Sequence, residues 1–225
     1  MPRRKRVVIP GLPHHITQRG GRKQDVFFRP DDRLFYLNLL KESAERYGVL
    51  LLSYCLMTNH IHHLLVPLRE DSLRWTMQQT HKRYADRING REGWSGHLWQ
   101  QRFYSSPVDE EYFWITLRYI QRNPVEAGIC KRAVDYRWSS AAGHCGVRCD
   151  PHITTEPGWG EKLRARRDWL SWLEEANMAD EVSLLRRQTL RDLPTGSEAF
   201  LDELEQRYGI DARPPKLGRP KREKS

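Results

Sequence analysis

Two neighbouring extended runs constrain this chain more than anything else in it. Val49 to Met57 is apolar enough to be a buried strand, Thr58-Asn59 is a plausible turn, and His60-Ile61-His62-His63-Leu64-Leu65-Val66 follows as a second strand. The pattern predicts an antiparallel hairpin. Side chains alternate across a strand. His60 and His62 therefore share one face, and Ile61 and His63 share the other. Two imidazoles side by side are a ready site for a divalent metal. The competing reading is two satisfied histidines on a half-buried strand, and the pair alone does not decide between them.

The neighbouring segments suggest how the hairpin is covered. Leu12 to Arg19 alternates like a strand and stops at Gly20-Gly21. Pro30-Asp31-Asp32 opens a helix with an apolar stripe of Leu34, Tyr36, Leu37, Leu39, Leu40 and Ala44, and Gly48 ends it. Asp71-Ser72 caps a second helix that runs to about Asn89-Gly90, with Lys82, Arg83 and Arg87 on its basic face. Leu98 to Val108 reads as another strand. Asp109-Glu110-Glu111 puts acids at the positive end of a third helix, which Asn123 and Pro124 are expected to stop. The order β-α-β-β-α-β-α implies an α+β sandwich, an antiparallel sheet with helices mainly on one face. Residues 150–160 read as a linker. Residues 161–208 read as helices, with Trp169, Trp172, Leu173, Leu184 and Leu185 as packing residues, and Pro214-Pro215 begins a disordered tail. The expected organisation is a domain over 1–149, a helical extension over 150–212 and a basic tail over 213–225.

Charge placement points to the partner. The formal net charge is +9. Arg3, Arg4, Lys5 and Arg6 carry +4, and residues 213–225 carry +5, so the body between them is formally neutral. Basic arms on a balanced body suit a polyanion, and nucleic acid is the expected one. Tails that only solubilise are the plainer alternative. The tail Lys216-Leu217-Gly218-Arg219-Pro220-Lys221-Arg222 resembles an AT-hook for the A·T minor groove. It reads equally as a generic phosphate-binding tail. No apolar run reaches the length of a membrane span, and Met1 to Arg6 lacks a signal-peptide core. With four scattered cysteines, this suggests a cytoplasmic protein.

In the third helix, Tyr119 and Asn123 are four residues apart and share a face. Taken alone, Asn123 reads as a helix stop and Tyr119 as packing. Taken in order, several segments carry a resemblance: His60-Ile61-His62, Leu98-Trp99-Gln100-Gln101-Arg102-Phe103, Tyr119-Ile120-Gln121-Arg122-Asn123-Pro124-Val125, and Tyr136-Arg137-Trp138-Ser139-Ser140. Over roughly residues 8–145 the chain resembles the single-tyrosine HUH transposases, and within them the REP-associated tyrosine transposases. The resemblance implies a ferredoxin-like HUH endonuclease fold. It implies a Mg²⁺ or Mn²⁺ ion held by His60, His62 and Asn123, with Tyr119 as nucleophile. The implied reaction cleaves single-stranded DNA beside repeat hairpins through a 5′-phosphotyrosine, releases a 3′-hydroxyl and can rejoin strands. In that branch the enzyme is expected to be a monomer, whereas related mobile-element enzymes act as homodimers.

Candidate DNA-contacting residues are Arg3, Arg4, Lys5, Arg6, Arg102, Arg219, Lys221 and Arg222. Arg102 and Gln100 could instead buttress the sheet, and Trp99 could pack. Tyr112, seven residues before Tyr119, is the rival nucleophile but has no amide at the matching spacing. His63 falls on the wrong strand face for the metal pair. His14 and His15 show no partner pattern. Cys145 and Cys149 with His144 and His152 are too loosely spaced for a tetrahedral zinc site. Two other functions stay open: a noncatalytic repeat-DNA-binding protein derived from such an enzyme, and a metal-dependent phosphodiesterase that uses water.

Overall fold

The computed structural model describes residues 6–214. Elements follow in the expected order: β1 (His14–Arg19), α1 (Pro30–Tyr47), β2 (Val49–Leu56), β3 (His60–Pro67), α2 (Ser72–Glu92), β4 (Tyr104–Pro107) and α3 (Glu110–Glu126). The four strands form one sheet in the order β2-β3-β1-β4, and each neighbouring pair is antiparallel. The β2–β3 pair is the expected hairpin, with Cys55 opposite His62. On its other side, β3 places Thr17 opposite His62 and Arg19 opposite His60. The histidine strand is thus an inner strand, paired along both edges.

Helix α1 shows how the local sequence sets its own limits. The Asp32 carboxylate accepts the backbone amides of Phe28 and Arg29 at 3.0 and 2.9 Å, which satisfies donors at the helix start. At the other end Gly48 takes φ +70°, the left-handed geometry that glycine adopts without a steric penalty.

The helices cover both sheet faces, which corrects the one-sided arrangement expected from the sequence. On one face, α1 and α2 pack Tyr36, Leu37, Leu40, Met77 and Tyr84 against Ile16, Leu51, Ile61 and Leu65. On the other, α3 brings Phe113, Leu117, Tyr119 and Ile120 against Leu52, Cys55, Leu64 and Val66. Strands β2 and β3 are apolar on both sides, so each face needs a cover. The second cover is shared with helices that follow: α4 (Ala141–His144), α5 (Trp159–Ala165), α6 (Trp169–Glu174) and α7 (Ala179–Thr189), while α8 (Glu198–Tyr208) packs Leu201 and Leu204 against Ile9 and Ala212 in a separate cluster. Leu163, Trp169, Trp172, Leu173 and Leu185 join the α3 core.

Four further boundaries differ from the sequence reading. Helix α2 runs past Gly90 to Glu92 and ends at Gly93 with φ +68°. Helix α3 continues through Pro124 to Glu126. The proline removes one amide donor, but the final turn closes through Ala127 N to Asn123 O, Gly128 N to Val125 O and Ile129 N to Pro124 O. The strand expected over 98–108 is confined to 104–107, because Gln101 turns the chain at φ +36°. Residues 150–160 do not hang free as a linker. Thr154 N donates to Leu51 O at 2.8 Å, and Tyr54 Oη donates to the Asp150 carboxylate at 2.7 Å, so the segment is tied to β2.

Candidate active site

The site starts from the geometry of β3. His60 and His62 lie on the α3 face with ring centroids 5.1 Å apart and planes at 86°. His63 is on the opposite face, stacked on Tyr36 of α1 and hydrogen-bonded to its hydroxyl at 3.1 Å. The strand alternation therefore separates the three histidines as expected. Helix α3 crosses above the pair and sets Tyr119 edge-on to His62, with centroids 5.4 Å apart and planes at 80°. Asn123 follows one turn later. Its Nδ2 donates to the Tyr119 carbonyl at 2.8 Å, which orients the side-chain amide.

Hydrogen bonds fix the outer ring nitrogen of each histidine. Asn59 Nδ2 donates to the Lys23 carbonyl, so Asn59 Oδ1 is the atom that faces His60 Nδ1, at 2.7 Å. An amide oxygen only accepts, so His60 carries its proton on Nδ1. His62 Nδ1 lies 3.0 Å from His15 Nε2 on the neighbouring strand, and the two rings stack. Among the described residues, neither His60 Nε2 nor His62 Nε2 has a hydrogen-bond partner. Burial, with the nearby Arg19 and Arg186 charges, lowers the His60 pKa to about 4. Burial and the neighbouring His15, His60, His63 and Arg186 push His62 well below the ordinary imidazole value. Both rings are neutral at neutral pH, the form that ligates metals. The donor set fits a divalent cation on these grounds. No third His, Cys, Asp or Glu joins the pair among the described residues.

Three residues at the site escaped the sequence reading. His15, expected to lack a partner, is completely buried between His62 and Thr189. Thr189 Oγ1 sits 2.8 Å from His15 Nδ1. Arg186 Nε donates to Tyr119 Oη at 3.1 Å, and its guanidinium lies 5.1 Å from the ring centroid. Arg186 and Thr189 both come from α7. The one available signal was β1 alternation, which places His15 on the face opposite Ile16; nothing in the sequence of α7 indicates where it docks. Tyr119 is only 4% exposed beneath this cover.

The other candidates are dispersed. Tyr112 is partly exposed, and burial, then the Glu181, Glu111 and Asp109 charges, raise its pKa. Arg102 Nη2 donates to Asp192 at 3.2 Å, while Arg6 Nη2 donates to the Phe103 carbonyl and its guanidinium stacks on that ring. Trp99 packs on His81. His144 stacks on Trp169 and His152 bonds Asp150 and Asn38, so the loose Cys/His group is spread among separate contacts. Arg3, Arg4, Lys5, Arg219, Lys221, Arg222 and the AT-hook-like tail lie outside the described residues. No helix among the described residues is long and apolar enough to cross a membrane.

A four-stranded antiparallel sheet with a histidine pair on an inner strand and a tyrosine helix across it defines an α+β fold of the type found in DNA transposases. Residues 10–123 match the family described as "Transposase IS200 like", and the chain belongs to that family. Among solved structures it is similar to a REP-associated tyrosine transposase bound to a REP hairpin, at 17% identity and a TM-score of 0.55, over 69% of this chain and 92% of that one. It also aligns with a chain from Deinococcus radiodurans R1 assigned provisionally as a transposase, at 18% identity and a TM-score of 0.38, over 54% of this chain and 97% of that one. No curated protein matches the chain. The matched segment contains His60, His62, Tyr119 and Asn123, whereas Arg186 and Thr189 lie beyond it.

Proposed function

We propose that this transposase cleaves and rejoins single-stranded DNA beside hairpin-forming repeats, with Tyr119 as the nucleophile. The observation that carries the reading is Tyr119 packed edge-on against His62 at 5.4 Å while its hydroxyl accepts from Arg186. The phenol oxygen attacks the scissile phosphorus as its proton passes to solvent, the 3′-oxygen leaves and takes up a proton as the 3′-hydroxyl, and a 5′-phosphotyrosine remains. A strand's 3′-hydroxyl attacking that ester reverses the step, so cleavage and joining share one site. An ordinary tyrosine titrates near pH 10, and the Arg186 charge offsets the negative charge that grows on the phenol oxygen. His60, His62 and Asn123 would hold Mg²⁺ or Mn²⁺, which when bound polarises the scissile phosphate. Binding of a REP hairpin by a structurally similar transposase supports a hairpin substrate. Arg6 and Arg102, with the basic ends of the chain, would contact phosphates.

The burial of Tyr119 favours one second reading, a noncatalytic repeat-DNA-binding protein. Incubation with an end-labelled single-stranded hairpin oligonucleotide and Mg²⁺ or Mn²⁺ separates the two. The wild type should form a denaturation-resistant protein–DNA adduct, and Tyr119→Phe should not. Hairpin binding with no adduct in either metal selects the binding protein. An adduct that survives in Tyr119→Phe removes Tyr119 as nucleophile.

A further inference from the structure

We propose that Thr189 and His15 are positioning residues that fix the tautomer of His62 through a hydrogen-bond relay reaching in from α7. The inference rests on the reading of His62 as a cation ligand and extends it to a helix outside the family-matched segment.

Each proton in the relay can be assigned. Thr189 Oγ1 lies 2.7 Å from the Leu185 carbonyl and gives it its only proton. The hydroxyl can then only accept from His15, so His15 Nδ1 donates to it. His15 is buried, and among the described residues its ring nitrogens meet only the Thr189 hydroxyl and His62, with no carboxylate against them to hold a second proton. A neutral ring with its proton on Nδ1 presents a bare Nε2. That Nε2 accepts from His62 Nδ1 at 3.0 Å. His62 in turn is left with a bare Nε2, the atom available to a cation. The relay thus runs Leu185 carbonyl, Thr189, His15, His62, and its direction is set at the α7 end, where a carbonyl can only accept. His60 reaches the same tautomer by a separate and shorter route, through Asn59. Outer partners of this kind orient ligating imidazoles, and their loss typically weakens metal binding by about 10–100-fold.

Substituting Thr189→Val removes the acceptor for His15 Nδ1. His15 can then carry its proton on Nε2 and donate to His62 Nδ1, which moves the His62 proton onto the ligating nitrogen. Thr189→Ser keeps the hydroxyl. The test uses the full chain labelled with ¹⁵N-histidine and free of metal. Long-range ¹H–¹⁵N correlation spectra read the His62 tautomer directly, and calorimetry reads Mn²⁺ affinity in parallel. The wild type and Thr189→Ser should show His62 protonated on Nδ1. Thr189→Val should show the Nε2–H form and bind Mn²⁺ about 10–100-fold more weakly. A wild-type His62 protonated on Nε2 overturns the relay, even where the valine variant fails to fold. So does a Thr189→Val protein with an unchanged tautomer. If the wild type shows the expected tautomer and binds no Mn²⁺, the cation reading fails while the relay stands.

Discussion

Removing the Arg186 side chain should slow strand cleavage without abolishing hairpin binding. Arg186 Nε is 3.1 Å from the Tyr119 hydroxyl oxygen. With charge centres about 4 Å apart and an effective dielectric near 20, two unit charges interact by about 4 kcal/mol. A transition state with about half a negative charge on the phenol oxygen retains about 2 kcal/mol of this. That corresponds to a rate loss of about 30-fold in Arg186→Ala. Arg186→Lys keeps the charge without the guanidinium geometry and should fall between the two. The assay is single-turnover adduct formation, with enzyme in excess over a labelled hairpin oligonucleotide and quenched time points. Hairpin affinity, measured by anisotropy, serves as the folding control. An Arg186→Ala enzyme as fast as the wild type, or faster, would mean that the Arg186 charge does not stabilise the developing phenolate. It would show that α7 covers the phenol without assisting it.

Three further outcomes follow from the same contacts. Burial lowers His14 and His144 to about 4 and His63 and His81 to about 3, whereas the unfolded chain titrates near 6.5. Stability is therefore full above about pH 6.5 and falls as the unfolded state takes up protons, by about 8 kcal/mol for the four between about pH 7 and about pH 5. Against a typical total of about 5–15 kcal/mol, circular dichroism should show acid unfolding centred near pH 5; a chain fully folded at pH 4 contradicts this. Asp32 is buried and pairs with Arg91 while accepting two amides, so Asp32→Ala should cost about 3–5 kcal/mol and lower Tm by about 6–20 °C; a shift within error would place the stability of α1 elsewhere. Asn123→Ala should weaken Mn²⁺ binding at least about tenfold by calorimetry, and unchanged affinity would take Asn123 out of the ligand set.

Much of the architecture was legible because the relevant signals are local. Alternation in β3 separated His60 and His62 from His63, and a glycine and an acidic cap bounded α1. The four-residue spacing of Tyr119 and Asn123 placed them on one helix face. Pro124 misled because its cost is a single missing donor, and the three hydrogen bonds that close the last turn involve residues further on. The helices were expected mainly on one face because element order does not say which side a crossover takes. His15 was missed because its partner, His62, lies on a non-consecutive strand, and only the β1–β3 register brings them together. Arg186 and Thr189 were missed for a related reason. Amphipathic spacing marks α7 as a helix, but its docking against α3 and β1 depends on three-dimensional packing. The residues that border the candidate pair from other elements are thus the ones whose signals are non-local.

Peptide mapping of the adduct would show whether Tyr119 bears the covalent DNA. Trypsin cuts after Arg102, Arg118 and Arg122, so Tyr119 falls in the four-residue peptide Tyr119–Arg122 and Tyr112 and Tyr104 fall in Phe103–Arg118. The wild-type adduct, formed on a hairpin oligonucleotide with Mn²⁺ and trimmed by nuclease, should carry its nucleotide mass on Tyr119–Arg122. A nucleotide found on Phe103–Arg118 would remove Tyr119 as the nucleophile.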